Sequence, residues 1–195
     1  MTRILALRHA PTRWNAEGRL QGRVDEPLSA EGRLLAARWR PPTAFADAPL
    51  FASPLARAAE TARLMFGREP SLDARLVEAA WGVWEGKVWR EIEREGGPDY
   101  EASMRGGLDF APPGGETPRA VIGRLAAFFA DFAPRGGDMA IIVHSGVLRA
   151  MIAMATGWDH CGSPPIRPKN GRGHIFEGAP DGTLALATSN IPLEP

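Results

Sequence analysis

The chain has 195 residues, 44% of them hydrophobic, and its 23 basic and 23 acidic side chains balance to a formal net charge of zero. That length and apolar content suit one domain over residues 1–195 with a real core. The balanced charge, without basic block or acidic tail, argues against a general nucleic-acid or membrane-surface binder.

Met1-Thr2-Arg3-Ile4 runs straight into a strand without the apolar region of a signal peptide. No apolar stretch is long enough to span a bilayer, so a soluble, cytoplasmic protein is expected. Cys161 is the only cysteine, which leaves no internal disulfide and reads as a passive thiol. Lys87 and Lys169 are the only lysines. Arginine suits bidentate phosphate or carboxylate recognition, although codon usage accounts for the bias as well.

In chain order, residues 4–7 read as a short buried strand, followed by a polar loop over 11–28. Ser29 is the N-cap of a helix to about Arg40, with Glu31 in its first turn and Pro41-Pro42 as the stop. Residues 50–52 form a second strand, and Ser53-Pro54 opens a helix over 55–66. Another strand is expected over 72–76, then a tryptophan-rich stretch over 81–89 and a helix over 87–95 closed by Gly96-Gly97-Pro98. Residues 105–115 read as a loop. Thr117-Pro118 starts a helix to about Phe132, with Val121, Leu125, Phe128, Phe129 and Phe132 at helical spacing. Gly136-Gly137 leads into a strand over 139–143, and a helix over 147–156 ends at Gly157. Strands over 173–176 and 183–187 flank Pro180-Asp181-Gly182 as a hairpin. This alternation predicts an α/β fold, a three-layer α/β/α sandwich around a mostly parallel sheet with an antiparallel element near the C-terminus.

Two histidines stand directly after apolar strands: His9 in Leu7-Arg8-His9 and His144 in Ile142-Val143-His144. In a parallel sheet the carboxyl ends of the strands share one edge, where α/β proteins bind ligands. Arg8 is bonded to the first histidine, Asn15 lies in the loop after it, and Arg57 opens the helix after the second strand. Two guanidiniums, two imidazoles and one amide are therefore expected to converge on one tetrahedral anion. A helix starting near Ser145 would aim free backbone N–H groups at the same place.

The chain resembles the histidine phosphatase superfamily. The resemblance rests on Leu7-Arg8-His9, Thr12-Arg13-Trp14-Asn15, Gln21-Gly22 and Asp25-Glu26-Pro27-Leu28-Ser29 with Gly32. It continues through Ser53-Pro54-Leu55 with Arg57-Ala58 and Thr61-Ala62, Leu76-Val77-Glu78 with Gly82-Val83-Trp84-Glu85-Gly86, Pro113-Gly114-Gly115-Glu116-Thr117 and Val143-His144-Ser145-Gly146-Val147-Leu148-Arg149. The resemblance implies that His9 attacks phosphorus and forms a phosphohistidine. Arg8, Arg57 and His144 would hold the equatorial oxygens, with Asn15 and the Ser145 amide as neutral donors. Flanking Arg8 and Arg57 disfavour the imidazolium of His9, which keeps its attacking nitrogen free. Glu78 is the expected general acid and then base, with Glu85 and Glu116 as competitors that read better as turn and helix-start residues. No metal or other cofactor is expected, because the arginines supply the positive charge and the four histidines lack metal-ligand spacing.

Several residues receive a plainer reading. Trp81, Trp84 and Trp89 line a pocket or bury themselves against neighbours, with equal weight on each. Arg149 is expected to be solvated or ion-paired, and His160 and His174 to be structural. Specificity is expected in residues 11–28 and 87–115. Ala10 and Pro11 stand where the family usually has glycine and an acidic residue. A positive φ at position 10 would make alanine cost on the order of 1 kcal/mol.

Superfamily mutases carry a longer chain and an Arg-His-Tyr-Gly segment with Gly-Leu-Asn-Lys where this chain has residues 81–87. That departure favours water as the phosphoryl acceptor. The expected activity is metal-independent hydrolysis of a small phosphorylated metabolite. A cofactor-dependent phosphoglycerate mutase is the alternative enzyme, and a non-catalytic phosphate-ligand binding module is the alternative of another class.

Overall fold

Residues of strand β1 (Thr2–Arg8) alternate between two interiors. Ile4 and Ala6 enter one apolar cluster, Leu5 and Leu7 the other, and all four are fully buried. A strand buried on both faces must lie inside a sheet covered on both sides, which is why its sequence is an unbroken apolar run. The computed structural model describes residues 1–132 and 136–193, with backbone alone for 97–99 and 101–104.

The sheet has six strands in the order β3 (Ser71–Leu72), β2 (Leu50–Ala52), β4 (Gly137–Val143), β1, β5 (Arg172–Gly178) and β6 (Leu184–Pro192). The first four are parallel; β5 is antiparallel to β1, and β6 to β5. Helices α2 (Ala30–Arg38) and α3 (Ala56–Phe66) cover one face, where Ala36, Ala58, Ala62 and Met65 pack with Leu5, Leu7 and Ile142. Helices α5 (Pro118–Phe132) and α6 (Ser145–Thr156) cover the other, where Leu125, Phe128, Val147 and Met151 pack with Ile4, Ala6 and Ile141. This is the expected three-layer sandwich, antiparallel only at its C-terminal edge. No helix among the described residues is long and apolar enough to cross a membrane.

The register sets one end of the sheet. Arg8 pairs with Val143 and Ala52 with Ile142, so β1, β2 and β4 finish level. The ladder runs one residue further on each side of β4: the His9 N–H donates to the Val143 carbonyl and the Ser53 N–H to the Ile142 carbonyl, both at 3.0 Å.

Three expectations about elements are corrected. The loop over 11–28 contains helix α1 (Arg13–Glu17), started by a reciprocal capping box between Thr12 and Asn15. The strand expected over 72–76 stops at Leu72, because the Asp73 carboxylate accepts from the Arg75 N–H at 2.8 Å and turns residues 74–76 into a 3-10 helix. Helix α4 (Trp89–Met104) starts later than residue 87 and runs through Gly96-Gly97-Pro98 instead of ending there. A Cβ on Gly96 would lie 2.7 Å from the Tyr100 Cβ, so the glycine permits a turn too tight for a side chain. Buried Ile92 and the Tyr100 ring, 5.9 Å from Trp84, dock the helix and override its poor local propensity. The C-terminal hairpin forms as expected, closed by the Gly182 N–H on the Ala179 carbonyl at 3.0 Å.

Candidate active site

His9 follows β1, is 5% exposed, and is fixed by its place in the ladder. Its Nδ1 lies 2.7 Å from the Ala10 carbonyl, an acceptor only, so the proton sits on Nδ1 and the lone pair on Nε2. Burial foremost, then the guanidiniums of Arg8 and Arg57, holds the imidazole well below the usual histidine range against the opposing pull of that carbonyl. His9 is thus a neutral base with its free nitrogen defined. Ala10 is fully buried and does not adopt positive φ. Its N–H donates to Thr61 Oγ1 at 3.0 Å, and its methyl packs in the core, so alanine stands here without backbone strain.

His144 caps α6 at the end of β4, and its ring centroid lies 5.2 Å from that of His9 at an interplanar angle of 57°. It is fully buried, and among the described residues neither ring nitrogen has a hydrogen-bond partner. Burial, followed by His9, Arg57 and Arg8, holds its pKa well below the usual range. Arg57, on the first turn of α3, is also fully buried. Its Nη1 and Nη2 donate to the carbonyls of Val24 and Gly22, each at 2.8 Å, while Nε has no partner among the described residues. Arg8 donates from Nη1 to Asn170 Oδ1 at 2.8 Å, and its Nε is likewise buried and unpartnered. Buried polar atoms without partners cost roughly 1–3 kcal/mol each. Two guanidinium Nε–H groups and the single N–H of neutral His144, on three neighbouring side chains, mark a place built to be filled by an acceptor-rich anion.

Glu78 is 6% exposed. One carboxylate oxygen accepts from the Ala79 N–H at 2.9 Å; the other accepts from the Gly146 N–H at 3.1 Å and the Ser145 hydroxyl at 3.3 Å. Glu78 therefore sits at the N-terminal end of α6, one residue beyond His144. A Cβ on Gly146 would lie 2.5 Å from Glu78 Oε1, so only glycine lets the carboxylate seat there. Asn15 accepts from the Thr12 N–H at 3.0 Å through Oδ1, which commits that oxygen and leaves the amide NH2 free to donate. Asn15 lines a cleft of about 620 Å3 together with Arg8, His9, Thr12 and Asn170.

All seven residues expected at the site thus occupy one end of the sheet. His9, His144, Arg8 and Arg57 share one electrostatic neighbourhood, and the two arginines both sense Glu78. Of the competing carboxylates, Glu85 pins two loops by accepting from the N–H groups of Arg23 and Trp81, each at 3.0 Å. Glu116 pairs with Arg124 at 3.0 Å and Arg23 at 3.2 Å.

The plainer readings divide. Trp84 is buried, while Trp81 and Trp89 line a cleft of about 350 Å3 with Phe110, Arg149 and His160. Arg149 is half-buried and not ion-paired: among the described residues it has no carboxylate partner and lies over the Trp158 ring at 4.9 Å. His160 has a companion as well, stacked on Trp158 at 4.2 Å. The chain after α6 folds back over the site, a tertiary event with no local signal. His174 is buried in β5, as expected. Sequence reasoning missed Asn170, which holds Arg8, and Thr61, which holds Ala10.

Comparison with known proteins places this geometry. The profile described as histidine phosphatase superfamily (branch 1) matches residues 4–190. A glucosyl-3-phosphoglycerate phosphatase of Mycolicibacterium vanbaalenii is 31% identical over 80% of this chain and 74% of its own. A probable phosphoglycerate mutase of an Enterobacter species is 30% identical over 87% of this chain and 82% of its own. Among solved structures, a mycobacterial glucosyl-3-phosphoglycerate phosphatase complexed with VO3 superposes with a TM-score of 0.80 at 25% identity, covering 97% of this chain and 98% of that one.

Proposed function

The chain belongs to the histidine phosphatase superfamily, and we propose that it hydrolyses a small phosphorylated metabolite through a phosphohistidine on His9, without a metal. The observation that carries this reading is the pair of neutral imidazoles 5.2 Å apart beside two guanidiniums with unpartnered Nε atoms. A phosphoryl group placed there meets a nucleophile, donors for its equatorial oxygens, and positive charge from Arg8 and Arg57 in place of a metal ion.

His9 Nε2 donates its lone pair to phosphorus as the bond from phosphorus to the leaving oxygen breaks. The ring gains positive charge, which the Ala10 carbonyl stabilises through Nδ1–H. Arg8, Arg57, His144 and the Asn15 amide hold the three equatorial oxygens. Glu78 gives a proton to the departing alkoxide, then takes one from the water that attacks the phosphoenzyme. Phosphate leaves, and His9 and Glu78 return to their starting protonation. Water is the acceptor because the segment 81–87 lacks the mutase-type sequence. The related probable mutase keeps phosphoglycerate interconversion as the second reading.

Brief incubation with a radiolabelled phosphomonoester, followed by acid or alkaline quench, tests the proposal. An alkali-stable, acid-labile phosphoenzyme is expected in the parent protein and absent in His9→Ala. Ligand binding with no phosphoenzyme and no phosphate release would make the protein a binding module. Conversion of 3-phosphoglycerate to 2-phosphoglycerate without phosphate release would make it a mutase.

A further inference from the structure

Ser145 and Arg149 are four residues apart on α6 and share a face. They form a ridge between two clefts. On one side lies the aromatic cleft with Trp81, Trp89 and Phe110. On the other lies a cleft of about 390 Å3 walled by the chain from Gly162 to Asn170. Arg8, Arg149, Arg167 and Lys169 line this second cleft, and no carboxylate does.

Among the described residues none of these four cations has a carboxylate at ion-pair distance, and only Arg8 feels the nearby charge of Glu78. Arg8 is tied to a neutral amide, Asn170; Arg149 lies over Trp158; Arg167 donates to the Ser163 hydroxyl at 2.9 Å. Several arginines elsewhere on the molecule are neutralised at contact distance, among them Arg3 with Asp138, Arg33 with Glu60, Arg119 with Asp109 and Arg124 with Glu116. Burial lowers the pKa of Arg149, which shows that desolvation of its guanidinium is not offset by a fixed carboxylate. Like charges gathered in one cleft repel one another, and an anion bound among them relieves that repulsion. Arg8 and Ser145 belong both to this cleft and to the reaction site, so a ligand whose phosphoryl group faces His9 has a continuous path into it.

We propose that Arg149, Arg167 and Lys169 form a second anion subsite, so that the preferred substrate is a phosphomonoester whose alcohol carries a further carboxylate or phosphate. The identity of that substrate rests on the phosphatase reading; the subsite itself does not.

Calorimetric titration of the His9→Ala protein, which binds without turning over, separates the two. 3-Phosphoglycerate against glycerol 3-phosphate probes a carboxylate, and fructose 1,6-bisphosphate against fructose 6-phosphate probes a second phosphate. The doubly anionic member of at least one pair should bind at least about tenfold tighter, the equivalent of one charge-assisted hydrogen bond. That preference should vanish in Arg167→Gln/Lys169→Gln, whose exposed side chains put folding at no risk, and in Arg149→Met. Equal affinities within both pairs, no binding by any of the four, or a preference that survives these variants overturns the subsite. Failure of the parent protein to release phosphate from any ester overturns the phosphatase reading instead, and leaves the affinity ratios to be read on their own.

Discussion

Replacing Arg57 with methionine should damage both catalysis and stability, in proportions set by its contacts. The guanidinium has five N–H donors, of which two already hold the carbonyls of Val24 and Gly22. Nε–H and the remaining Nη hydrogens are left for the phosphoryl oxygens. Loss of donors preorganised for transition-state charge costs about 2–4 kcal/mol, a drop in kcat/KM of roughly 30- to 1000-fold. The two lost structural hydrogen bonds, each from a charged donor, are worth about 1.5–3 kcal/mol apiece. Their sum lowers Tm by roughly 6–24 °C in a chain of this size. Arg57→Lys should recover part of the charge but neither the fork nor both carbonyls, and so fall between. Steady-state hydrolysis of p-nitrophenyl phosphate and thermal unfolding followed by circular dichroism read the two effects separately. A methionine variant with kcat/KM within threefold of the parent would remove Arg57 from the reaction site. An unchanged Tm would show that its loop contacts carry no stability.

Other substitutions test other parts of the site. Glu78→Gln should slow alkyl phosphates far more than p-nitrophenyl phosphate, whose leaving group hardly needs a proton; equal losses assign Glu78 another role. Gly146→Ala places a methyl against Glu78 Oε1 and should reproduce that leaving-group dependence without touching an ionisable group; a variant that discriminates like the parent refutes the seating of Glu78. Burial lowers the pKa of all four histidines, with His160 and His174 each near about 4. The unfolded chain therefore binds more protons below pH 6.5, so stability is fully present above that pH and is lost as pH falls from about 6.5 toward 4. A urea midpoint that stays level from pH 7 to pH 5 contradicts this. Ala10→Gly should destabilise by about 1 kcal/mol, because it removes a buried methyl and loosens a backbone that does not need glycine; a gain in stability would refute the packing argument.

What the sequence discloses follows from the range of the interactions. Unbroken apolar runs at 4–7 and 139–143 announce strands buried on both faces, and a polar residue directly after such a run must emerge at the sheet edge. That logic finds His9 and His144 as neighbours across more than a hundred residues. The capping box at Thr12 and Asn15 was readable from spacing, but the functional reading of Asn15 obscured its structural one. Helix α4 departs from its local sequence because two glycines and a proline carry strong local weight, whereas its docking through Ile92 and Tyr100 is tertiary. Asn170, His160 and the placement of Arg149 over Trp158 lie beyond local sequence for the same reason. They acquire meaning only when the chain beyond α6 returns to the site, and nothing in their neighbours signals that return.

Because His9 and His144 hang from adjacent interior strands bonded in one ladder, they move only when the middle of the sheet comes apart. Backbone amides at His9 and Ser53 should accordingly exchange with deuterium as slowly as the strands themselves. The surrounding walls are drawn instead from segments outside the sheet, near 81–89, 107–118 and 160–170. Evolution, or an engineer, can therefore rewrite those walls to admit a different alcohol while the chemistry beneath stays as it was.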